Sequence, residues 1–334
     1  MSFTRAVRLV THYARYRPHR LRPFEVQAAL LNACNLRCSY CRCPEIETDQ
    51  LATAQWIQIL GGLGRLGTLR VKFQGGEPTI RRDFGELCAA ARRAGLTTAV
   101  VTNGIAIARN PRLLDALDEV VISLDAITPQ LHDAQRGAGT HLQAMTALER
   151  AREMGRRVVV NMVVHRDTAG EVEAMLQFCE QRGCLLNAQA VMFDRTYQVA
   201  EAKSIALSND EQREFYLLLA RWREQGRPLV FSPAAFRRTA GWGDFSTTVR
   251  AGRFPSSCPM GTEYVHIEPN GDVHPCGLHG GRFVPLNAVR DGLEAALLNA
   301  RHHECEDCAL AYLNERKLLF RLHPQTVWHT IRRS

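Results

Sequence analysis

Four cysteines fall within the stretch NACNLRCSYCRCPE, Asn32 to Glu45, of a chain that has only eleven. Cys34, Cys38 and Cys41 are spaced C-x3-C-x2-C, and Cys43 follows closely. Three thiolates from one short loop can hold three corners of an iron–sulfur cube. Electron-transfer clusters ordinarily take four protein ligands, so a set of three would leave one iron open to substrate or cofactor. Zinc is the main alternative, and a tetrahedral structural site would recruit Cys43 as fourth ligand. Spacing alone leaves both open, with incidental thiols as a third reading.

A second set comprises Cys258, Cys276, Cys305 and Cys308. Cys305 and Cys308 make a C-x2-C knuckle in HHECEDC, and four thiolates suit either zinc or a fully ligated [4Fe-4S] cluster. His266, His274, His279, His302 and His303 lie nearby and could ligate, but most read as exposed loop residues. Cys88, Cys179 and Cys184 fall in or beside helical patterns and read as packing residues.

The elements that would carry these thiols follow from the periodicity. At 334 residues the chain can bury a large core, and 46% hydrophobic with 23% charged residues is ordinary for a soluble globular protein. VQAALLNA, LRVKFQGG, LTTAVVTNG, EVVISLDA, RVVVNMVVH and LLNAQAVMF read as six buried strands. Between them FGELCAAARRAG, PRLLDALD, HLQAMTALERAREMG and EVEAMLQFCEQRG read as helices, several closed by glycine. Such β-α repetition predicts an α/β fold with a parallel sheet, either part of a barrel or an open doubly wound sheet. Later, SNDEQREFYLLLARWREQG reads as a helix capped by Ser208 or Asn209, and EYVHIEPNGDVHPCG as a hairpin about Asn-Gly. The expected division is a basic extension over 1–24, a core over 25–200, a helical linker over 201–257 and a cysteine-rich unit over 258–334.

No run of about 18 apolar residues suggests a membrane span. The first 25 residues hold six arginines and lack the apolar stretch and cleavage site of a secretory signal. Reduced thiols in a cytoplasmic protein are therefore expected, not a disulfide framework. Phe3, Ala6, Val7, Val10 and Ala14 recur at rough helical spacing, so this segment reads as a basic amphipathic helix. It would pack on the core or touch an anionic substrate or a membrane surface weakly. The net charge of +8 does not by itself indicate nucleic acid.

C-x3-C-x2-C after a first strand, with Tyr40 before the third cysteine, resembles the radical S-adenosylmethionine superfamily. GGEPT (Gly75 to Thr79) after the second strand, TNG after the third, SLDA after the fourth and HDAQRG beyond agree in order. The resemblance covers roughly residues 25–195. It implies a partial (β/α)6 TIM-like barrel and a [4Fe-4S] cluster held by Cys34, Cys38 and Cys41. In that family the open iron takes S-adenosyl-L-methionine, one electron cleaves it, and a 5′-deoxyadenosyl radical abstracts substrate hydrogen. Carried over by position, Gly75 and Gly76 would let backbone approach the methionine moiety. Glu77 would accept from its ammonium group and Arg136 would pair with its carboxylate. Tyr40, Asn103, Ser123 and Asn161 would stand around the cofactor. A flavodoxin- or ferredoxin-type donor is implied.

The pattern C-x12-G-x4-C from Cys258 to Cys276 resembles the opening of the SPASM domain. With no cysteine after Cys308, it resembles the shortened twitch version with one auxiliary [4Fe-4S] cluster held by Cys258, Cys276, Cys305 and Cys308. Twitch relatives include dehydrogenases of aminocyclitols, and relatives with the full domain modify peptides. About 24 residues precede the first strand, too few for a winged-helix peptide-recognition domain. The expectation is therefore an oxidoreductase acting on a hydroxylated small molecule with the auxiliary cluster as electron acceptor. A peptide maturase is the alternative and a non-catalytic zinc-binding protein the second. Asp194, Tyr197 and Glu268 are candidates for the substrate base by position, but each reads more as a structural residue, and no base can be named.

Overall fold

The computed structural model describes residues 22–193, 197–252, 258–278 and 283–333. The proposed N-terminal amphipathic helix, Asp194 and His279 lie outside them. Six strands, β1 (Glu25–Leu31), β2 (Arg70–Gly75), β3 (Thr97–Thr102), β4 (Glu119–Ser123), β5 (Arg157–Val164) and β6 (Leu185–Ala190), pair in parallel in that order. A doubly wound sheet reverses its strand order part-way, and this one does not. The strictly sequential order is that of a partial barrel.

The strand runs are apolar because both faces are covered; every residue of β4 is buried. Helices return between strands: α1 (Thr53–Leu66), α2 (Phe84–Arg93), α3 (Ile105–Arg109), α4 (Pro129–Arg136), α5 (Thr140–Glu153) and α6 (Val172–Arg182). PRLLDALD differs from the expected helix. Asn110 accepts from the Arg112 amide and Pro111 follows it, so the segment is a single 3-10 turn over Pro111–Leu114. Cys88, Cys179 and Cys184 are fully buried packing residues.

Beyond the barrel, α7 (Asn209–Glu224) opens with a capping box between Ser208 and Glu211 and packs against α8 (Pro233–Ala240). The strands β7 (Val249–Ala251), β8 (Tyr264–Ile267), β9 (Asp272–His274) and β10 (Leu286–Asn287) follow. β8 pairs in parallel with β1, so the hairpin β8–β9 extends the barrel sheet on its first edge. The C-x2-C segment is not a knuckle but a strand, β11 (Cys305–Cys308), antiparallel to β7. Helices α9 (Leu293–Asn299), α10 (Ala311–Phe320) and α11 (Pro324–Arg333) complete the described residues. Among these, no helix is long and apolar enough to cross a membrane.

Charged residues close the N-terminal end of the barrel. Glu25, at the start of β1, is fully buried; Arg316 of α10 lies 2.6 Å away, Arg70 3.6 Å and Lys72 3.7 Å, and the Tyr312 hydroxyl donates to it. Burial pushes its carboxyl up, and the three cations more than offset this, holding it well below the usual range. Chemistry is left to the opposite end, where parallel barrels place their sites.

Candidate active site

The cysteine loop leaves β1 at Asn32, whose amide donates to Ile46 O (3.1 Å) and Thr48 Oγ1 (2.9 Å) while its oxygen accepts from Cys43 Sγ (3.7 Å). Cys43 thus serves as a buried packing residue with a local partner. Further along, Ser39 N donates to Gln135 O, Arg42 N to Tyr197 O, and Cys41 forms an isolated antiparallel bridge with Gln198. Cys34, Cys38 and Cys41 are free and half-buried. Burial pushes the Cys34 thiol up to about 11, with Glu77, Cys38 and Cys41 adding to the rise; Cys38 and Cys41 are also pushed up by burial. Neutral thiols gathered this way would give up their protons on binding a metal cluster.

The three thiols open on a cavity of about 320 Å3 at the C-terminal ends of the strands. Its wall also contains every residue assigned by position to the cofactor: Tyr40, Gly75, Gly76, Glu77, Asn103, Ser123, Arg136 and Asn161. The sheet explains the convergence. Gly75 ends β2, Asn103 follows β3, and Ser123 at the end of β4 is in register with Asn161 on β5.

Several of these residues do something the sequence did not indicate. A Cβ on Gly75 would lie 2.1 Å from Leu31 O, and one on Gly76 2.2 Å from Ala33 O. The space the two glycines leave is filled by the chain's own β1 end, to which the Gly76 and Glu77 amides also donate. Glu77 Oε1 accepts from Thr79 N (3.1 Å) and Thr102 Oγ1 (2.8 Å), and Oε2 from Asn103 N (2.7 Å). Burial raises its carboxyl above the ordinary value despite these bonds. Asn103 donates to Asn35 in the cysteine loop at 2.8 Å, and Asn161 accepts from Asn187 at 2.7 Å.

Arg136 is neither a surface arginine nor a free guanidinium. Its Nε and Nη2 donate to the two oxygens of Asp125 at 2.6 and 3.2 Å, so a ligand carboxylate would meet only what remains of the fork. Asp125, completely buried, also accepts from the Tyr40 hydroxyl (2.6 Å) and Val163 N (2.9 Å). Burial pushes its carboxyl up and Arg136 pulls it further down, below its ordinary value. Sequence reading passed over Asp125, although it stands in the quoted SLDA.

One wall of the cavity comes from the C-terminal half. His266 on β8 is buried, not an exposed loop residue, and lines the cavity with Gln74 and Tyr197. Gln74 Nε2 lies 3.3 Å from His266 Nδ1, and His266 Nε2 lies 3.2 Å from Glu268 Oε1. The Tyr197 hydroxyl donates to Glu268 Oε2 at 2.5 Å. Two of the three candidates for the base therefore meet in one chain of contacts.

Cys258, Cys276, Cys305 and Cys308 are all buried, three of them in one apolar cluster with Met260, Tyr264, Leu310 and Leu313. A hydrogen bond from Cys305 holds the Cys258 thiol below its ordinary value, while Cys305 is pushed up by that bond, by burial and by the neighbouring Cys258, Cys276 and Cys308. His303 is buried and bonded through Nε2 to Met260 O at 2.6 Å, so it supports the cluster's backbone. Among the described residues, no three His, Cys, Asp or Glu side chains surround a single ion. A cube binds each thiolate to a different iron, which spreads the sulfurs farther apart than one ion does. The donor set, four buried sulfurs with a cation nearby at Lys317, fits such a group.

Residues 29–179 match the Radical SAM superfamily. The chain is 30% identical over 290 residues to the PqqA peptide cyclase of Methylobacterium sp. (strain 4-46), covering 82% of this chain and 72% of that protein. Two solved structures of Streptococcus suis SuiB share the fold, each at a TM-score of 0.65. The one bound to S-adenosylmethionine is 19% identical and aligns over 86% of this chain and 68% of its own. The one bound to precursor peptide SuiA is 16% identical and aligns over 93% and 76%.

Proposed function

Since the chain belongs to the radical S-adenosylmethionine superfamily, an enzyme family, we propose that it is a peptide-modifying member that cleaves S-adenosylmethionine reductively and acts on a peptide side chain. The observation that carries the substrate class is the 30% identity to a PqqA peptide cyclase across 82% of this chain. It favours a peptide over the hydroxylated small molecule expected from the short N-terminal segment. The zinc-binding reading of a non-enzyme gives way to the family match.

When bound, a [4Fe-4S] cluster with S-adenosylmethionine supplies a 5′-deoxyadenosyl radical able to take hydrogen from an unactivated C–H bond. In this reading Cys34, Cys38 and Cys41 hold the cluster as thiolates. Glu77 accepts from the methionine ammonium, which would draw its carboxyl back toward the charged form. Asn103, Ser123 and Asn161 offer hydrogen bonds along the cavity wall, and Gly75 and Gly76 let the chain leaving β1 pack closely against that wall. Tyr40 and Arg136, both tied to Asp125, fix the loop's third cysteine against β4. Cys258, Cys276, Cys305 and Cys308 would hold an auxiliary cluster, which would supply an acceptor for the substrate's electron, and a flavodoxin- or ferredoxin-type protein would supply the reducing electron for the first.

The test is a search for a short peptide gene beside that of this chain, followed by anaerobic incubation of the reconstituted chain with S-adenosylmethionine, dithionite and the encoded peptide. A peptide product lighter by two hydrogens, formed together with 5′-deoxyadenosine, supports the reading. An unchanged peptide, with turnover on an aminocyclitol or sugar instead, overturns it.

A further inference from the structure

The C-terminal thiol cluster contains a buried cation that the reaction described so far does not use. Lys317, on α10, is only 2% exposed. Its ammonium donates to Asp307 Oδ1 at 2.7 Å and to Cys308 Sγ at 3.6 Å. Asp307 stands between Cys305 and Cys308 on β11, and its other oxygen accepts from Arg238 Nη2 at 2.7 Å. Two cations, Arg238 and Lys317, thus share one carboxylate, which leaves one positive charge over before any thiolate is counted. Arg238 is partly open to solvent and can discharge its surplus there, whereas Lys317 cannot. A buried ammonium needs an anion, and the group offered on its second side is a ligand sulfur.

A cation and hydrogen-bond donor on a ligand sulfur acts on redox chemistry in a known direction. Reduction adds a negative charge to the cluster, a neighbouring positive charge stabilises that form, and the low dielectric of a buried site strengthens the effect. Outer-sphere donors of this type tune a metal centre without touching the metal.

We propose that Lys317 sets the reduction potential of the C-terminal centre, raising it through its contact with Cys308 Sγ and so making the centre a better acceptor for an electron leaving the substrate. The inference rests on Cys258, Cys276, Cys305 and Cys308 being iron–sulfur ligands. Lys317 is a positioning residue here and touches no substrate.

The experiment is a potentiometric titration, followed by electron paramagnetic resonance, of the full chain reconstituted with iron and sulfide. The signal that persists when Cys34, Cys38 and Cys41 are replaced by Ala identifies the C-terminal centre. Lys317→Met should lower the reduced-to-oxidised ratio at the parent's midpoint by about tenfold, equivalent to about 59 mV for a one-electron couple. Lys317→Arg should restore the parent value. An unchanged midpoint in Lys317→Met, with its C-terminal iron intact, overturns the proposal. Should Lys317→Met lose its iron, Asp307→Asn decides: removing that negative charge should raise the midpoint, and no rise overturns the proposal. A parent chain with zinc or no metal at the C-terminal thiols removes the auxiliary-cluster reading and this inference together, and the metal count shows it before any potential is measured.

Discussion

The hydroxyl of Tyr40 donates to Asp125 Oδ2 at 2.6 Å, and the guanidinium of Arg136 lies 5.6 Å from the centre of the same Tyr40 ring. One buried carboxylate therefore fastens the cysteine loop to β4 and α4 at once. Asp125→Asn keeps the shape but leaves Arg136 buried without its counter-charge. The expected loss of stability is about 3–5 kcal/mol. Tyr40→Phe removes one charge-assisted hydrogen bond and should cost about 1.5–3 kcal/mol. Urea unfolding of the metal-free chain checks the order; a Tyr40→Phe loss as large as that of Asp125→Asn would contradict the central place given to Asp125.

Glu77 meets the cavity with a carboxylate held by Thr79, Thr102 and Asn103. Glu77→Gln retains the size and removes the charge a bound ammonium would need. We expect parent iron content with affinity for S-adenosylmethionine reduced about 10- to 100-fold, the equivalent of about 1.5–3 kcal/mol. Equilibrium dialysis under anaerobic conditions measures it. Parent affinity in this variant would remove Glu77 from the cofactor assignment.

Gly76→Ala would place its methyl 2.2 Å from Ala33 O and 2.3 Å from Asn32 O. Both contacts are backbone and cannot swing away. The first turn of the cysteine loop must shift, at a cost of about 1–3 kcal/mol, and the N-terminal cluster should assemble poorly. Iron content after reconstitution should fall at Cys34, Cys38 and Cys41 while the C-terminal metal is retained. Full iron at both sites would mean that the glycine is dispensable.

His132 links pH to the same region, since its Nδ1 accepts from Asp125 N at 3.1 Å. Burial first, and the Arg136 cation second, hold its imidazole down to about 4 from the ordinary 6.5. The unfolded chain takes up this proton before the folded one does. The stability that depends on a neutral His132 is thus complete above about pH 6.5 and is lost as pH falls toward 4, on the order of 3 kcal/mol in all. His132→Gln should flatten the pH dependence of unfolding between pH 6.5 and 4, and an unchanged slope would show that His132 binds its proton alike in both states.

The six strands were legible because a sheet covered on both faces needs unbroken apolar runs. The cavity residues were legible because the resemblance to the radical S-adenosylmethionine superfamily assigns roles to the ends of those strands. Helix α1 was not, since Gly61, Gly62 and Gly64 depress helix propensity. Its reason is tertiary: a Cβ at Gly64 would lie 2.3 Å from Ala94 O. Asp125 escaped notice because its partner Arg136 is brought to it by the fold and not by local spacing. His266 was placed in a predicted strand but not in the site, because YVHI is buried on both faces and alternation gave no cue to its inward position. The charged closure around Glu25 was hidden for a similar reason, its partner Arg316 arriving from the far end of the chain.

The most direct test combines iron and sulfide analysis after anaerobic reconstitution with a 5′-deoxyadenosine assay under dithionite on the same sample. About eight irons per chain with 5′-deoxyadenosine formed is the predicted result, as expected for two cubes. Replacing Cys34, Cys38 and Cys41 with Ala should abolish the product and leave about four irons. Zinc in place of iron with no 5′-deoxyadenosine, or product formation that survives loss of all three cysteines, would contradict the account.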